Sequence, residues 1–292
     1  MITTFLDITI AGLIMGGIYA LIAVGLNLQY GVSRVLNLAH GEFIMLGAFA
    51  AYFLYMLFGI SPLISLVICA PFIFIIAIVI HTILFQRLRM SSESIVAFEG
   101  SSLLATFGLS FVLQNAGALA WGSEVKAYSY LVKSVDLLGA LFPANRLVAL
   151  LLAVVFCLIV YLFLARTRME KAIRATAQDL NTAQLMGVNV YRVLGISFGL
   201  GAMLAGFAGA LISPFSPISP FMGFPYVVIA LIVVVLGGLG NILGSLIGGF
   251  ILGLVGSIVM YIDPGLSMVA YYVLFLFILL ARPTGILGKI GK

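Results

Sequence analysis

The sequence predicts an all-α, polytopic transmembrane helical bundle of eight to nine spans, with broken or re-entrant segments. Of its 292 residues, 64% are apolar and only 8% are charged, too few charges to coat a soluble globule of this size. The apolar runs are separate, and each of the longer ones exceeds or approaches the roughly 20 helical residues that cross a hydrocarbon core. The strand pattern of a membrane barrel is absent from the sequence, which leaves helices as the spanning structure.

Nine apolar runs are candidate spans within a single transmembrane domain covering residues 1–292. The seventh run is too short to cross alone, so eight crossings plus a re-entrant piece is an alternative to nine crossings. The runs are residues 5–29, 36–58, 62–85, 95–120, 147–165, 193–213, 226–238, 241–262 and 266–282.

A polar island at residues 166–192 separates two of these runs and is rich in positive charge. Five of the 14 basic residues of the chain lie in it, namely Arg166, Arg168, Lys171, Arg174 and Arg192. Cytoplasmic loops of membrane proteins carry an excess of Lys and Arg, so we expect this loop and the carboxyl terminus in the cytoplasm and the amino terminus outside. The net charge of +5 thus reflects topology and lipid headgroups, and no nucleic-acid partner is expected.

The same island predicts a short helix over residues 170–186. Its alanines favour a helix, and Gly187 with Asn189 supplies a stop. Such a helix either lies in the lipid headgroups or inserts into a groove on a soluble partner. The second interpretation is favoured because two rigid spans flank the loop and would transmit the motion of a partner.

Ionisable residues cluster at the start of the second apolar run, where Arg34, Asn37, His40 and Glu42 fall within nine residues. A charged residue at the centre of a membrane helix costs roughly 2.5 to 3.5 kcal/mol, so such groups face protein or a wet cavity. On a continuous helix Asn37 and His40 would share one face and Glu42 would lie off it. In one interpretation Arg34 reaches the headgroups and Glu42 pairs with Arg34 or His40. In the other, Asn37, His40 and Glu42 line a pathway or a gate.

Glycine-rich breaks occur near Gly41 in the first half of the chain and near Gly237 and Gly238 in the second half. Broken helices in corresponding positions are typical of the substrate path of a transporter, so these glycines are candidate pathway residues. The other glycines of the apolar runs predict close helix packing.

The sequence offers no catalytic set, and we expect neither a metal nor a cofactor. His40 and Glu42 are the only close pair of strong ligands, whereas a zinc site usually needs three or four. Cys69 and Cys157 lie far apart within apolar runs, which indicates packing. No nucleotide-binding motif occurs in a suitable strand-helix context, so any energy must come from a partner or a gradient.

Four segments together have the pattern of a known family, namely GGIYALIAVGLNLQYGV (16–32), NLAHGEFIMLGAF (37–49), ATAQDLNTAQLMGVNVYRV (175–193) and VLGGLGNILGSLIGGFILGLV (235–255). They resemble the LivH-type permeases of branched-chain amino acid ATP-binding-cassette (ABC) importers, and the resemblance covers nearly the whole chain.

The resemblance implies a subunit of an importer in a bacterial-type inner membrane. Its partners would be a homologous, LivM-like second permease, two cytoplasmic ATPase subunits and an extracytoplasmic substrate-binding protein. It places Ala175, Asp179, Ala183 and Gly187 in a helix that couples to the ATPase. It also places Asn37, His40, Gly41 and Glu42 near the pathway. The family also includes permeases for other neutral amino acids, amides and urea.

Two alternatives from other classes remain. A proton-coupled secondary transporter would use His40 and Glu42 as its relay, which explains the buried charge but not the basic loop. A passive channel would need neither an ATPase nor a loop that binds one.

Overall fold

The computed structural model describes residues 2–137 and 140–287, and it consists almost entirely of helices. A π-helical turn, His81–Phe85, joins α3 to α4, and a short 3-10 turn, Pro264–Leu266, precedes α12. Two short antiparallel strands, β1 Ser134–Leu137 and β2 Ala140–Pro143, form a hairpin between α5 and α6. The helices are α1 Ile2–Ser33, α2 His40–Phe58, α3 Pro62–Ile80, α4 Gln86–Ser91, α5 Ile95–Trp121, α6 Ala144–Arg166, α7 Arg168–Gln178, α8 Leu180–Leu185, α9 Val190–Ile212, α10 Gly223–Gly237, α11 Ile242–Ile262 and α12 Ser267–Ala281.

Within the described residues, eight helical segments are long and apolar enough to cross a membrane, which confirms an all-α polytopic bundle. They are α1, α2, the continuous segment from α3 to α4, α5, α6, α9, α11 and the segment that ends with α12. Helix α10 has only 15 residues and is too short to cross alone, as the length of the seventh apolar run predicts.

Helix α1 lies at the centre of the bundle and packs against α6, α9, α10 and α11. Glycines make the closest of these contacts possible. A side chain at Gly25 would collide with the backbone of Gly201 on α9, and one at Gly16 would collide with the backbone of Phe250 on α11. These contacts confirm the predicted role of the span glycines in close helix packing.

The bundle has two distinct ends. At the first, which we call the basic end, Arg89 donates a hydrogen bond to the Ser33 carbonyl and Asn241 donates to the Leu287 carbonyl. Gly195, near the start of α9, packs against His81, which lies about two helical turns before Arg89, so the loop 166–192 lies at the basic end. At the opposite end, the Tyr128 hydroxyl is 2.7 Å from the Ser213 hydroxyl.

The segment from Ser213 to Gly237 crosses the bundle first as irregular chain and then as a helix. It begins at the opposite end, where Lys126 and Ile218 exchange backbone hydrogen bonds, and its first ten residues are not a regular helix. Helix α10 starts partway along the bundle, at Gly223, and runs to the basic end. With the eight long helices, the described chain therefore passes between the ends nine times, within the predicted range of eight to nine.

Two predicted helix boundaries were wrong. The second span does not begin at residue 36, because residues 34–39 are not helical and α2 starts at His40. The helix expected over 170–186 is two helices, α7 and α8, because Asp179 has an extended backbone (φ −154°, ψ 116°) that interrupts it.

Candidate translocation segment and docking loop

The non-helical residues 34–39 turn the chain back into the bundle. Arg34 stands in the left-handed region (φ 56°) directly after α1, and the chain then returns toward the middle of that helix. The Nε2 atom of His40, the first residue of α2, lies 3.1 Å from the Ile22 carbonyl. Ile22 is about three helical turns, or about 16 Å, from Ser33 at the end of α1. Helix α2 therefore starts deep inside the bundle.

The Asn37 side chain is fully buried in this segment and joins it to two helices. Its Nδ2 donates to Oε1 of Gln29 on α1 at 3.1 Å. The Gln29 Nε2 in turn donates to the Phe198 carbonyl on α9 at 2.9 Å. Asn37 Oδ1 has no protein hydrogen-bond partner. The segment is thus connected through Gln29 to α9, the helix that directly follows the basic loop.

His40 and Glu42 point toward different helices. The His40 ring lies against Ile22 and Gly25 of α1. Glu42 instead faces α5, where Gln114 Nε2 donates to its Oε1 at 2.9 Å. Both side chains are buried, and each keeps one atom without a protein partner, His40 Nδ1 and Glu42 Oε2.

Two expectations about this cluster were wrong. Glu42 pairs with neither Arg34 nor His40, since its hydrogen-bond partner is Gln114 and Arg34 is exposed beside the Tyr30 ring. Asn37 and His40 do not share a helix face, because Asn37 precedes the helix.

Gly41 marks the place where two helix amino termini meet. A side chain on Gly41 would collide with the backbone of Gly223, the first residue of α10. Neither α2 nor α10 has a side-chain cap at its amino terminus. Helix amino termini carry partial positive charge, so the meeting point favours nearby negative charge. Glu42 supplies a carboxyl group in the first turn of α2.

Gly237 and Gly238 lie at the basic end, in the tight turn between α10 and α11. Gly238 (φ 102°) follows the last residue of α10, and Gly237 packs against the backbone of Gly244. The Asn27 side chain of α1 fixes this turn, because its Nδ2 donates to the Asn241 carbonyl at 2.9 Å and its Oδ1 accepts from the Gly240 amide. These glycines are connected to the segment 34–39 only indirectly, through neighbouring residues of α1.

The basic loop presents one face to the bundle and another to solvent. Of the four residues expected to couple to an ATPase, Ala183 is buried and Ala175 is half-buried against the core. The buried Ile173 and Thr176 of α7 lie on the inward face with them. Ala183 therefore packs on the bundle, and Ala175 does so in part.

Asp179 and Gly187 delimit α8. The Asp179 carboxylate accepts hydrogen bonds from the Thr182 hydroxyl at 2.5 Å and from the Asn181 amide at 2.9 Å, and the pKa of Asp179 is lowered by these bonds, the Thr182 one first. A lowered pKa means that the cap stabilises α8 above the ordinary titration range of Asp and is lost as the pH falls through the lowered pKa. Gly187 adopts φ 85° after the helix and has no neighbouring atom where a side chain would stand, which confirms the predicted stop.

Two apolar residues at the tip of this loop were missed by the sequence interpretation. Leu185 and Met186 are 88% and 80% exposed at the end of α8, although both are large and apolar. They are large apolar side chains of the loop that a soluble partner can reach. A pair of large apolar residues in an otherwise polar loop was the available signal.

A polar stripe on α5 was also missed. The buried residues of this helix are Phe98, Ser102, Thr106, Ser110 and Gly117, and all but the first are small or polar. With Gln114, the stripe faces α2 and the segment before it, because Thr106 Oγ1 also lies 3.3 Å from the Leu36 carbonyl. The spacing of four between the hydroxyls was the available signal.

Comparison with known proteins supplies the family. A family model described as "Branched-chain amino acid transport system / permease component" matches residues 8–279. The high-affinity branched-chain amino acid transport system permease protein LivH of Salmonella typhimurium is 33% identical over 98% of this chain and 96% of its own length. The corresponding BraD of Pseudomonas aeruginosa is 32% identical over the same shares. A probable LivH of Methanocaldococcus jannaschii is 28% identical over 85% of this chain and 79% of its own length. No solved structure matches the chain.

Proposed function

The chain belongs to the family of permease components of branched-chain amino acid transport systems, and from that premise we propose that it is the membrane-spanning permease of an ATP-driven ABC importer. The substrate class is branched-chain or related small neutral amino acids, and the relatives are named for branched-chain amino acid transport. The chain is a transport subunit, and ATP hydrolysis belongs to separate subunits.

The arrangement of the basic end supports coupling to an ATPase independently of the family. The loop 166–192 is packed on α1 and α9 by its inward face and exposes Leu185 and Met186 at its tip. An apolar tip on a short helix fits a groove on a soluble ATPase. We therefore assign the loop as the coupling loop, with Ala175 and Ala183 holding it on the bundle and Asp179 and Gly187 fixing the helix that presents the tip.

Charge distribution supports the membrane orientation. The described basic end carries Arg34, Arg87, Arg89, Arg282 and the basic residues of the loop, whereas the opposite end carries Lys126, Lys133 and Arg146. By the positive-inside rule the basic end, with the carboxyl terminus, faces the cytoplasm. The hairpin β1–β2 then faces outside, where a substrate-binding protein would dock.

The pathway is assigned to the segment around Asn37, His40, Gly41 and Glu42. Buried polar atoms without protein partners gather there at mid-depth, and polar groups inside a membrane usually face a substrate path. Gly237 and Gly238 act in this scheme as the turn that holds α10 and α11 at the cytoplasmic end. The homologous LivM-like permease would complete the pathway from the other side.

Co-purification tests the assignment of partners. The chain should be isolated from its native membrane in mild detergent, and the retained proteins identified by mass spectrometry. The proposal requires two ATPase subunits and a second permease, with ATP hydrolysis stimulated by a loaded amino-acid-binding protein. A chain that retains no ATPase in several detergents would contradict it.

A further inference from the structure

Glu42 is a buried carboxyl group without a cation. Its side chain is 1% exposed, one oxygen accepts from Gln114, and the other has no protein partner. Within residues 2–137 and 140–287, no basic side chain forms an ion pair with Glu42. A buried carboxyl group normally stays charged only when it is paired, so the absence of a cation partner requires an explanation.

Two local features beside Glu42 stabilise negative charge on a carboxyl group. It lies in the first turn of α2, where the amino termini of α2 and α10 meet at Gly41 and Gly223, and neither terminus has a side-chain cap. The dipoles of both helices therefore stabilise negative charge at this depth. The Gln114 amide donates to the same carboxylate. A cation beside Glu42 would supply the missing counter-charge.

The facing stripe on α5 is a row of hydrogen-bond acceptors. The hydroxyls of Ser102, Thr106 and Ser110 donate to carbonyls of their own helix, at 2.9, 2.9 and 2.7 Å. Their donors are thus engaged, and their oxygen lone pairs are left to accept. An ammonium group has three donors and no acceptor, so it complements a carboxylate beside a row of hydroxyl oxygens.

Helix α5 is placed where it can separate from α2. In its most apolar stretch only 22% of α5 is buried, against 83% for α9. Its links to α2 are few and local, chiefly the Gln114–Glu42 hydrogen bond and the stacking of Trp121 on Phe49, whose ring centroids are 4.5 Å apart. A small outward shift of α5 would open the row of acceptors without disturbing the central packing of α1 and α9.

We propose that the seam between α2 and α5, centred on Glu42 with Ser102, Thr106, Ser110 and Gln114, is a transit site for the α-ammonium group of a zwitterionic amino acid. This inference rests on the proposed function, since it names the part of the substrate that the pathway recognises. It also explains how a largely apolar bundle accepts a charged backbone group together with an aliphatic side chain.

Charge and hydrogen bonding at Glu42 can be separated by substitution in the complete transporter. Glu42→Gln keeps the size of the side chain and an acceptor for Gln114 but removes the charge, whereas Glu42→Asp keeps the charge. In proteoliposomes loaded with ATP and supplied with the binding protein, Glu42→Gln should lower leucine uptake at least tenfold, and Glu42→Asp should retain more uptake than Glu42→Gln. Glu93→Gln, at an exposed carboxyl group of the basic end, should match the wild type. Leucine uptake by Glu42→Gln within twofold of wild type would overturn the proposal.

A second readout reports the charge in a variant that still assembles but no longer imports leucine. Ser110→Cys, in a background with Cys69→Ala and Cys157→Ala, supplies one thiol in the seam. In the assembled complex it should react faster with a cationic methanethiosulfonate than with the neutral methyl reagent, and Glu42→Gln should abolish that preference. An equal preference with and without Glu42 would overturn the ammonium site. If the wild-type complex failed to import leucine, the proposed function would fall, while the labelling preference would still report on the site.

Discussion

Asn37 and Gln29 form a hydrogen bond of 3.1 Å that connects the non-helical segment to the central helix, and Gln29 passes the connection on to α9. Both side chains are fully buried. The Gln29 side chain therefore links the segment before α2 to the helix that follows the coupling loop.

Replacing Gln29 should destabilise the bundle. Gln29→Met keeps the volume but leaves the Asn37 amide without its acceptor, at a cost of about 1–3 kcal/mol for a buried unsatisfied group. The thermal unfolding midpoint of the purified chain should fall, and Gln178→Met, at an exposed position of α7, should leave it unchanged. Equal midpoints for the two variants would show that the bond contributes nothing to stability.

Helix packing at Gly47 provides a second test. A methyl group there would strike the Gly206 carbonyl on α9, and a backbone atom of a buried helix cannot move aside cheaply. Overpacking of this kind costs about 1–3 kcal/mol, so Gly47→Ala should lower the unfolding midpoint. Gly108→Ala is the matched control, since no atom lies within 4 Å of the added methyl group. A midpoint for Gly47→Ala no lower than that of Gly108→Ala would contradict the close contact.

The spans, the loop and the polar cluster could be predicted from the sequence because each depends on composition over a long window. The partners within them could not. Glu42 pairs with Gln114, 72 residues away, and the helix break at 34–39 is fixed by Gln29 and α5, contacts that no local pattern reveals. The break at Asp179 was readable, because Asp is a preferred first residue before a helix, where its side chain accepts from a free backbone amide.

The apolar tip of the coupling loop should determine ATPase binding. Leu185→Glu puts a charge on a residue that is exposed in the chain but would be buried in the groove of a partner. Co-purification of the ATPase should fall at least tenfold, and the unfolding midpoint of the chain should stay the same. Val132→Glu introduces the same charge at an exposed position of the opposite end and should retain the ATPase. Full retention of the ATPase by Leu185→Glu would show that the tip is not part of the interface.

Capping of α8 should matter for the same interaction. Asp179→Ala removes the acceptor of the Thr182 and Asn181 hydrogen bonds, so the helix that presents Leu185 loses its start. ATPase retention should decrease for Asp179→Ala and be preserved for Asp179→Asn, whose side-chain oxygen can still accept. If the two variants retained the same amount of ATPase, the cap would have no part in coupling.

Uptake by the reconstituted complex separates an ATP-driven importer from a proton-coupled transporter. Leucine accumulation should be measured in proteoliposomes, with and without ATP on the side of the basic loop, and with and without a protonophore. An ATP-driven importer accumulates leucine only with ATP and is insensitive to the protonophore. Accumulation that needs no ATP and collapses with the protonophore would contradict the account and make His40 and Glu42 the first residues to examine as a proton relay.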